Sequence, residues 1–314
     1  MKEIKNFAGY ILAALLVQAP SVAHATYADS VFQRDRGVAD IVVSAGSSMA
    51  VNALVTELLK GAVHELRPDR SGNNSFPSRH ASWAFAASSV ISRELYHRSP
   101  WWSVGAQTLA SAVGLQRIRS RRHYGSDVVW GAAVGVASTE ICYWLTGRIF
   151  RRHSRVESCH YDFRPAFAAT SEAVYTLGEE VRTGFGIVFR GQLPLAEHWG
   201  AVMSLRTSSA PVKPDGAMAE PFNVYAITAG TMCHYVLPTD CLAFEPSVQL
   251  GVCRLQRTAG YCGSGFAAEA DCDLALSWRL TNRFAVRGSV GYRFMSRPEN
   301  VSAFTVGLSS VALF

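Results

Sequence analysis

Lys60 and Arg67 stand seven residues apart in Lys60-Gly61-Ala62-Val63-His64-Glu65-Leu66-Arg67-Pro68. On a helix that spacing is about two turns, so both cations share a face and can converge on one anion. Arginine offers a planar fork for phosphate oxygens, and lysine a compact point charge. A second group, Ser75-Phe76-Pro77-Ser78-Arg79-His80, directly precedes an apolar run that begins at Ala81. A helix starting there presents free backbone N–H groups to an anion. Ser78 adds a hydroxyl, and His80 is placed to protonate a leaving oxygen. The third group runs from Gln116-Arg117 to His123-Tyr124-Gly125-Ser126-Asp127. His123 and Asp127, four apart, fall on one helical face, where a carboxylate can orient a nucleophilic imidazole while Arg117 supplies another fork. Taken singly, each group also has an ordinary reading: a solvated basic face, a helix cap with a surface histidine, and an arginine-rich loop (Arg119, Arg121, Arg122) at a membrane surface.

Positioning these groups requires helices. Long stretches rich in Ala, Val, Ser and Leu run from about Val38 to Leu66, His80 to Tyr96, Trp101 to Arg117 and Asp127 to Phe150. Their lengths favour helices over strands, with Pro68, Gly72-Asn73-Asn74 and Pro100 as breaks. Val128–Leu145 is apolar enough to span a bilayer, interrupted mainly by Glu140. The other stretches carry Asn52, Glu57, Gln107 and many serines, which are costly against lipid. A compact membrane-associated bundle is expected, with a soluble bundle as the alternative.

Near residue 155 the period changes to two. Phe284, Val286, Val290, Tyr292 and Phe294 oppose Arg287, Ser289 and Arg293, while Leu274, Leu276, Trp278 and Leu280 alternate with Asp273, Ser277 and Arg279. The rhythm recurs at Phe185–Leu193, Trp199–Arg206, Phe244–Cys253 and Phe304–Phe314, and more weakly near Tyr161–Phe167 and Phe222–Thr231. This pattern marks strands with one apolar and one polar face. The expected fold is therefore multidomain α + β: an N-terminal helical bundle followed by an antiparallel β-barrel of about eight strands. An outer-membrane barrel turns its apolar face outward; a soluble sandwich or lipocalin-like barrel turns it inward, and periodicity does not distinguish them. The final Phe314 resembles the C-terminal signature of bacterial outer-membrane barrels.

Lys2 and Lys5, the apolar stretch Phe7–Val17 and Ala23-His24-Ala25 have the layout of a secretory signal peptide, with an uncleaved anchor as the alternative. The expected organisation is a signal peptide at 1–25, a helical domain at 26–155 and a barrel at 156–314. A formal net charge of +6 suits an anionic partner. No nucleic-acid motif is present, and export argues against such a partner. Of seven cysteines, Cys233/Cys241 and Cys253/Cys262 bracket turn-like segments, so two hairpin-spanning disulfides are expected in an oxidising compartment. No cysteine or histidine cluster has zinc-ligand spacing, and no metal or cofactor is expected.

Together the three groups resemble the type 2 phosphatidic acid phosphatase (PAP2) family, also called the vanadium haloperoxidase-like superfamily. Lys60 and Arg67-Pro68 match its first block. Pro77-Ser78-Arg79-His80 matches the second, with Arg79 in place of glycine. Arg117, His123 and Asp127 match the third, with Gln116 in place of serine. The resemblance covers roughly residues 35–150. It implies that His123 attacks phosphorus, Asp127 holds its tautomer, and His80 protonates the leaving group and then activates water. Lys60, Arg67, Ser78 and Arg117 would bind the phosphoryl oxygens, without a metal. Arg79 either narrows the pocket or contacts a second phosphate or a sugar acid. A phosphorylated membrane lipid is the implied substrate. With a barrel anchoring the domain, lipid A is favoured, ahead of undecaprenyl pyrophosphate, with an impaired lipid-binding domain as the remaining alternative. The catalytic domain is expected to face the periplasm from the outer membrane, an inner-membrane or periplasmic location being the alternative.

Overall fold

The computed structural model describes residues 38–149, 162–177, 182–212, 220–238, 241–257, 265–296 and 301–314. The expected signal peptide and the domain junction near residue 155 lie outside them.

Among the described residues four helices come first: α1 (Val38–Ala62), α2 (Arg79–Leu95), α3 (Pro100–Arg119) and α4 (Gly125–Ile149). Helix α3 starts at Pro100, whose fixed φ suits the first turn, and Ser99 caps it. The buried face of α1 is Ser44, Ser48, Asn52 and Thr56, at four-residue spacing, while Val38, Val42, Leu54 and Leu58 are exposed. This helix is inside out by the standards of a water-soluble bundle. Its polar face bonds inward, Thr56 to Ser82 of α2 at 2.7 Å and Ser44 to Thr146 of α4 at 3.0 Å. Such an arrangement is favourable where the outer face meets lipid. Asn52, which looked costly in sequence, is fully buried, its Oδ1 accepting from the Ser82 hydroxyl while its Nδ2 has no partner among the described residues. Helices α1 and α4 are both long and apolar enough to cross a bilayer.

The close approach of α4 to α2 depends on Gly131 and Gly135. A Cβ at Gly131 would lie 2.6 Å from the Ser78 carbonyl, and one at Gly135 2.3 Å from that of Ser82. This small-residue contact lets the two backbones meet and fixes the start of α2 against the start of α4, where the chemistry is gathered.

Nine strands follow: β1 (Ala166–Leu177), β2 (Arg182–Pro194), β3 (Trp199–Val212), β4 (Glu220–Cys233), the two-residue β5 (Tyr235–Val236), β6 (Leu242–Arg257), β7 (Gly265–Arg279), β8 (Phe284–Met295) and β9 (Val301–Leu313). All pair antiparallel in the order β4-β3-β2-β1-β9-β8-β7-β6, and β4 pairs with β6 to close an eight-stranded barrel. Closure removes every sheet edge. The apolar face points outward: Leu250, Leu274, Leu276 and Val290 are at least half exposed. The lumen is filled by an ion network. Arg190 and Arg287 reach Asp273 at 3.2 and 2.8 Å, Arg293 reaches Glu172 at 2.6 Å, and Arg206 reaches Asp271 at 2.8 Å and also contacts Glu269. An outward apolar wall around a polar interior is the arrangement of a transmembrane barrel, and side chains occupy the bore.

The bundle packs against the outer wall of β9, β1, β2 and β3. Gln107 and Ser111 of α3 bond Ser171 of β1, Phe85 of α2 meets Phe185 of β2 edge-on, and Arg119 donates to Thr207 of β3 at 2.7 Å. Strand β1 is consequently buried on both faces, and this is why its alternation is faint in the sequence. Two expected disulfides are corrected. Cys233 and Cys253 are free thiols, whereas Cys241 is disulfide-bonded. A hairpin rhythm in sequence reports strand register, not which sulfurs meet, and Cys253 pairs across the ladder with Ala226 and Ala267.

Candidate active site

The three sequence groups converge at one end of the bundle, around a cavity of about 330 Å³ lined by Lys60, Arg67, Asn74, Arg79, His80, Arg117, Arg122 and His123. Among the described residues that lining holds five cations, two imidazoles and no carboxylate. It is built for an anion.

Each side chain arrives from a different element end. Lys60 projects from the last turn of α1, and its Nζ donates to the carbonyls of Asn74 and Pro77 at 2.8 and 2.9 Å. Arg67 lies in the loop after α1, its backbone N–H closing on the Gly72 carbonyl. Arg117 sits in the last turn of α3 and contacts Gln116. The buried Nε atoms of Arg67 and Arg117 have no hydrogen-bond partner among the described residues. An unsatisfied buried donor is costly, and here both forks stand ready for oxygens that a ligand would bring. Ser78 is fully buried and caps α2, its hydroxyl accepting from the Ala81 N–H at 3.5 Å. The N–H groups of the first helical turn have no partner within the helix, leaving an anion-binding end.

His123 is buried at 4 % exposure. Its Nδ1 lies 2.8 Å from the carbonyl oxygen of Ser75 and 3.6 Å from Oδ2 of Asp127. A carbonyl only accepts, so Nδ1 carries the proton in this contact, which leaves Nε2 as the ring atom that faces the cavity chemistry. The expectation that Asp127 orients the ring directly thus takes a different form. Asp127 Oδ2 accepts from the Ser75 hydroxyl at 2.5 Å and from the Tyr124 N–H at 2.9 Å, and the Asp127 carbonyl accepts from the Ser78 N–H. Asp127 holds Ser75, and Ser75 holds the ring. Ser75 had no assigned role in sequence, although it begins the block Ser75-Phe76-Pro77-Ser78, whose Phe76-Pro77 peptide bond is cis.

His80 lines the cavity from the start of α2. Burial, followed by the charges of Arg117, His123, Arg79 and Arg67, holds its pKa below the ordinary imidazole value of 6.5. Arg79, standing where the family pattern has glycine, reaches sideways to Glu57 of α1 at 2.7 and 2.8 Å, so its charge is paired at the cavity rim. Arg122 is likewise held by Asp69 at 3.2 Å. Arg70 and Arg121 adopt left-handed backbone (φ 58° each), uncommon for side chains other than glycine, in the loops that frame the cavity. The Asp69 N–H bonds the Arg121 carbonyl and ties those loops together.

Comparison with known proteins agrees with this geometry. Residues 41–151 match the PAP2 superfamily, and this segment is a PAP2 superfamily domain. A lipid A 1-phosphatase of Porphyromonas gingivalis is 40 % identical over 118 residues, covering 38 % of this chain and 26 % of that protein. The bacitracin transport permease protein BcrC of Bacillus licheniformis is 38 % identical over 77 residues, covering 24 % of this chain and 36 % of that one. The chain therefore spans well under half the length of these curated relatives. Among solved structures, Neisserial surface protein A superposes with a TM-score of 0.40 at 11 % identity, covering 48 % of this chain and 97 % of that one.

Proposed function

Starting from a PAP2 superfamily domain packed on a closed barrel, we propose that this protein is an outer-membrane phosphatase that removes phosphate from a lipid, with lipid A the favoured substrate. One observation carries the reading. His123 is held through Nδ1 by the Ser75 carbonyl, in a cavity that it shares with His80 and the cations Lys60, Arg67, Arg79, Arg117 and Arg122. The relative whose name is lipid A 1-phosphatase supports the choice of lipid. The apolar barrel wall and the outward-facing apolar side of α1 support membrane residence.

In this mechanism Nε2 of His123 attacks phosphorus, the P–O bond to the lipid breaks, and His80 gives its proton to the leaving oxygen. The phosphorylated ring is cationic, and its Nδ1–H stays on the Ser75 carbonyl with the Asp127 carboxylate close behind. His80 then takes a proton from water as that water attacks phosphorus, releasing inorganic phosphate and restoring His123. Lys60, Arg67, Arg117 and the N-terminal amides of α2 stabilise the equatorial oxygens, where charge is concentrated in the transition state. These fixed cations supply the electrostatic role that a metal fills in other phosphotransfer sites, so turnover is proposed to be metal-independent.

The test is phosphate release by the full chain in detergent with EDTA, from lipid A, undecaprenyl pyrophosphate and phosphatidic acid, beside His123→Ala. Release from lipid A that survives EDTA and vanishes in the variant supports the reading. Preference for undecaprenyl pyrophosphate would reassign the substrate, and no release from any lipid would leave a binding domain.

A further inference from the structure

The cavity lies at a definite end of the barrel. Both barrel termini share the opposite end, where the Phe314 N–H bonds the Pro165 carbonyl. That end also holds the β2–β3 and β7–β8 turns of residues 195–198 and 280–283. Helix α3 begins there, with Trp101 against Phe167 and Phe314, and Tyr96 of the preceding turn stacks on Phe284. It ends at Arg119, bonded to Thr207 and lying over the ring of Tyr225. At about 1.5 Å per residue this helix runs close to the thickness of a bilayer core, about 30 Å. Gly125, two residues beyond His123, touches the backbone of Thr183 so closely that a Cβ would sit 2.1 Å from its carbonyl. Thr183 stands near the start of β2, just after the β1–β2 connection. The catalytic groups therefore lie at the end carrying the connections β1–β2, β3–β4, β6–β7 and β8–β9.

We infer that the cavity opens on the outer leaflet at the cell exterior, not toward the periplasm. This rests on the outer-membrane phosphatase reading above. An exported chain reaches its membrane from the periplasm, and in a barrel with an even number of strands both termini stay on one side. The terminus end is then periplasmic, and the opposite end faces out. Charge agrees with this placement. Lys60, Arg67, Arg79, Arg117 and Arg122 line the cavity at this end, Arg79 and Arg122 paired with Glu57 and Asp69, a net-basic mouth suited to a leaflet dense in lipid phosphates. This inferred placement is the opposite of the periplasm-facing one expected from sequence. The substrate is reached laterally, in the leaflet where it already resides, so the transport reaction that delivers the phosphorylated lipid to the outer leaflet precedes this one.

Sidedness can be read without turnover. Asn73, exposed beside the cavity, and Glu197, exposed in the β2–β3 turn, are each replaced (Asn73→Cys, Glu197→Cys) in the full chain. Cells then meet a polyethylene-glycol maleimide too large for porins, with the parent chain as background. The inference predicts that Asn73→Cys is labelled in intact cells, and Glu197→Cys only after the outer membrane is opened. Labelling of Glu197→Cys in intact cells, or protection of both sites, would overturn it. Phosphate release by the same variants on vesicles reports separately on the phosphatase reading. A second arm halts delivery of newly made lipid to the outer leaflet in cells whose enzyme is active on vesicles. New lipid should then stay fully phosphorylated, and continued dephosphorylation would place the site before delivery.

Discussion

The imidazole Nδ1 of His123 lies 2.8 Å from the backbone carbonyl of Ser75, while the Ser75 hydroxyl donates to Asp127 at 2.5 Å. One residue thus grips the nucleophile with its main chain and the acidic residue with its side chain. Removing the hydroxyl leaves the carbonyl in place. Ser75→Ala should therefore loosen the ring without freeing it, lowering kcat about ten- to a hundredfold, as loss of a hydrogen bond to a charged group implies. KM should change little. Asp127→Asn, which also upsets the Tyr124 and Ser78 contacts, should cost more than Ser75→Ala in steady-state kinetics.

Arg67 and Arg117 place buried donors at the cavity with no protein partner for Nε among the described residues. Replacing either by Ala should lower kcat/KM by about a hundred- to a thousandfold, the usual loss for one transition-state donor. Lysine at either position should recover little, since a point charge cannot reproduce two parallel N–H donors. Equal activity in the lysine variants would show that net charge alone suffices.

The pH profile should carry the mark of His80. Its pKa is depressed by burial and by the neighbouring cations, so the protonated acid is scarce at neutral pH and grows as pH falls. The limb of kcat/KM governed by this acid should decline with rising pH, with an apparent pKa below 6.5. Arg79 is one of the charges responsible. Arg79→Gly should shift that limb upward while changing stability by no more than about 1 kcal/mol, because its pair with Glu57 is half exposed.

In the barrel, Arg206 is buried between Glu269 and Asp271. Arg206→Met removes one of the two cations that hold these carboxylates, Arg293 staying 3.2 Å from Glu269, and should destabilise the barrel by about 1–3 kcal/mol. Urea unfolding of the purified chain in detergent measures this. Single-turnover activity in the surviving folded fraction should be unaltered, since the network lies in the lumen and the cavity lies on the bundle.

Much of this was legible in the sequence because the chemistry is local. Lys60 and Arg67, or His123 and Asp127, sit at spacings that put them near one another on or beside one helix, and the four helix ends fall within a few residues of the compositional breaks. What the sequence hid depends on contacts between segments. Ser75 acts through its carbonyl, which no side-chain pattern reports. The direction of the barrel's apolar face is seen only once the strands are paired and their outer residues are found exposed, since alternation is the same for either direction. Strand β1 lost its alternation because the bundle covers its outer face, and α1 buries serine, asparagine and threonine where a soluble helix would bury leucine. Cys233 and Cys241 flank a connection, yet Cys233 is a free thiol.

The central claim is a covalent bond between His123 and phosphorus. Rapid quenching of the full chain with radiolabelled lipid phosphate, followed by peptide mapping, tests it directly. The account predicts an acid-labile, base-stable label on the peptide containing His123, absent from His123→Ala and more persistent in His80→Ala, where water is no longer activated. Turnover at an undiminished rate in His123→Ala, or steady phosphate release by the native chain with no label at any quench time, would contradict it.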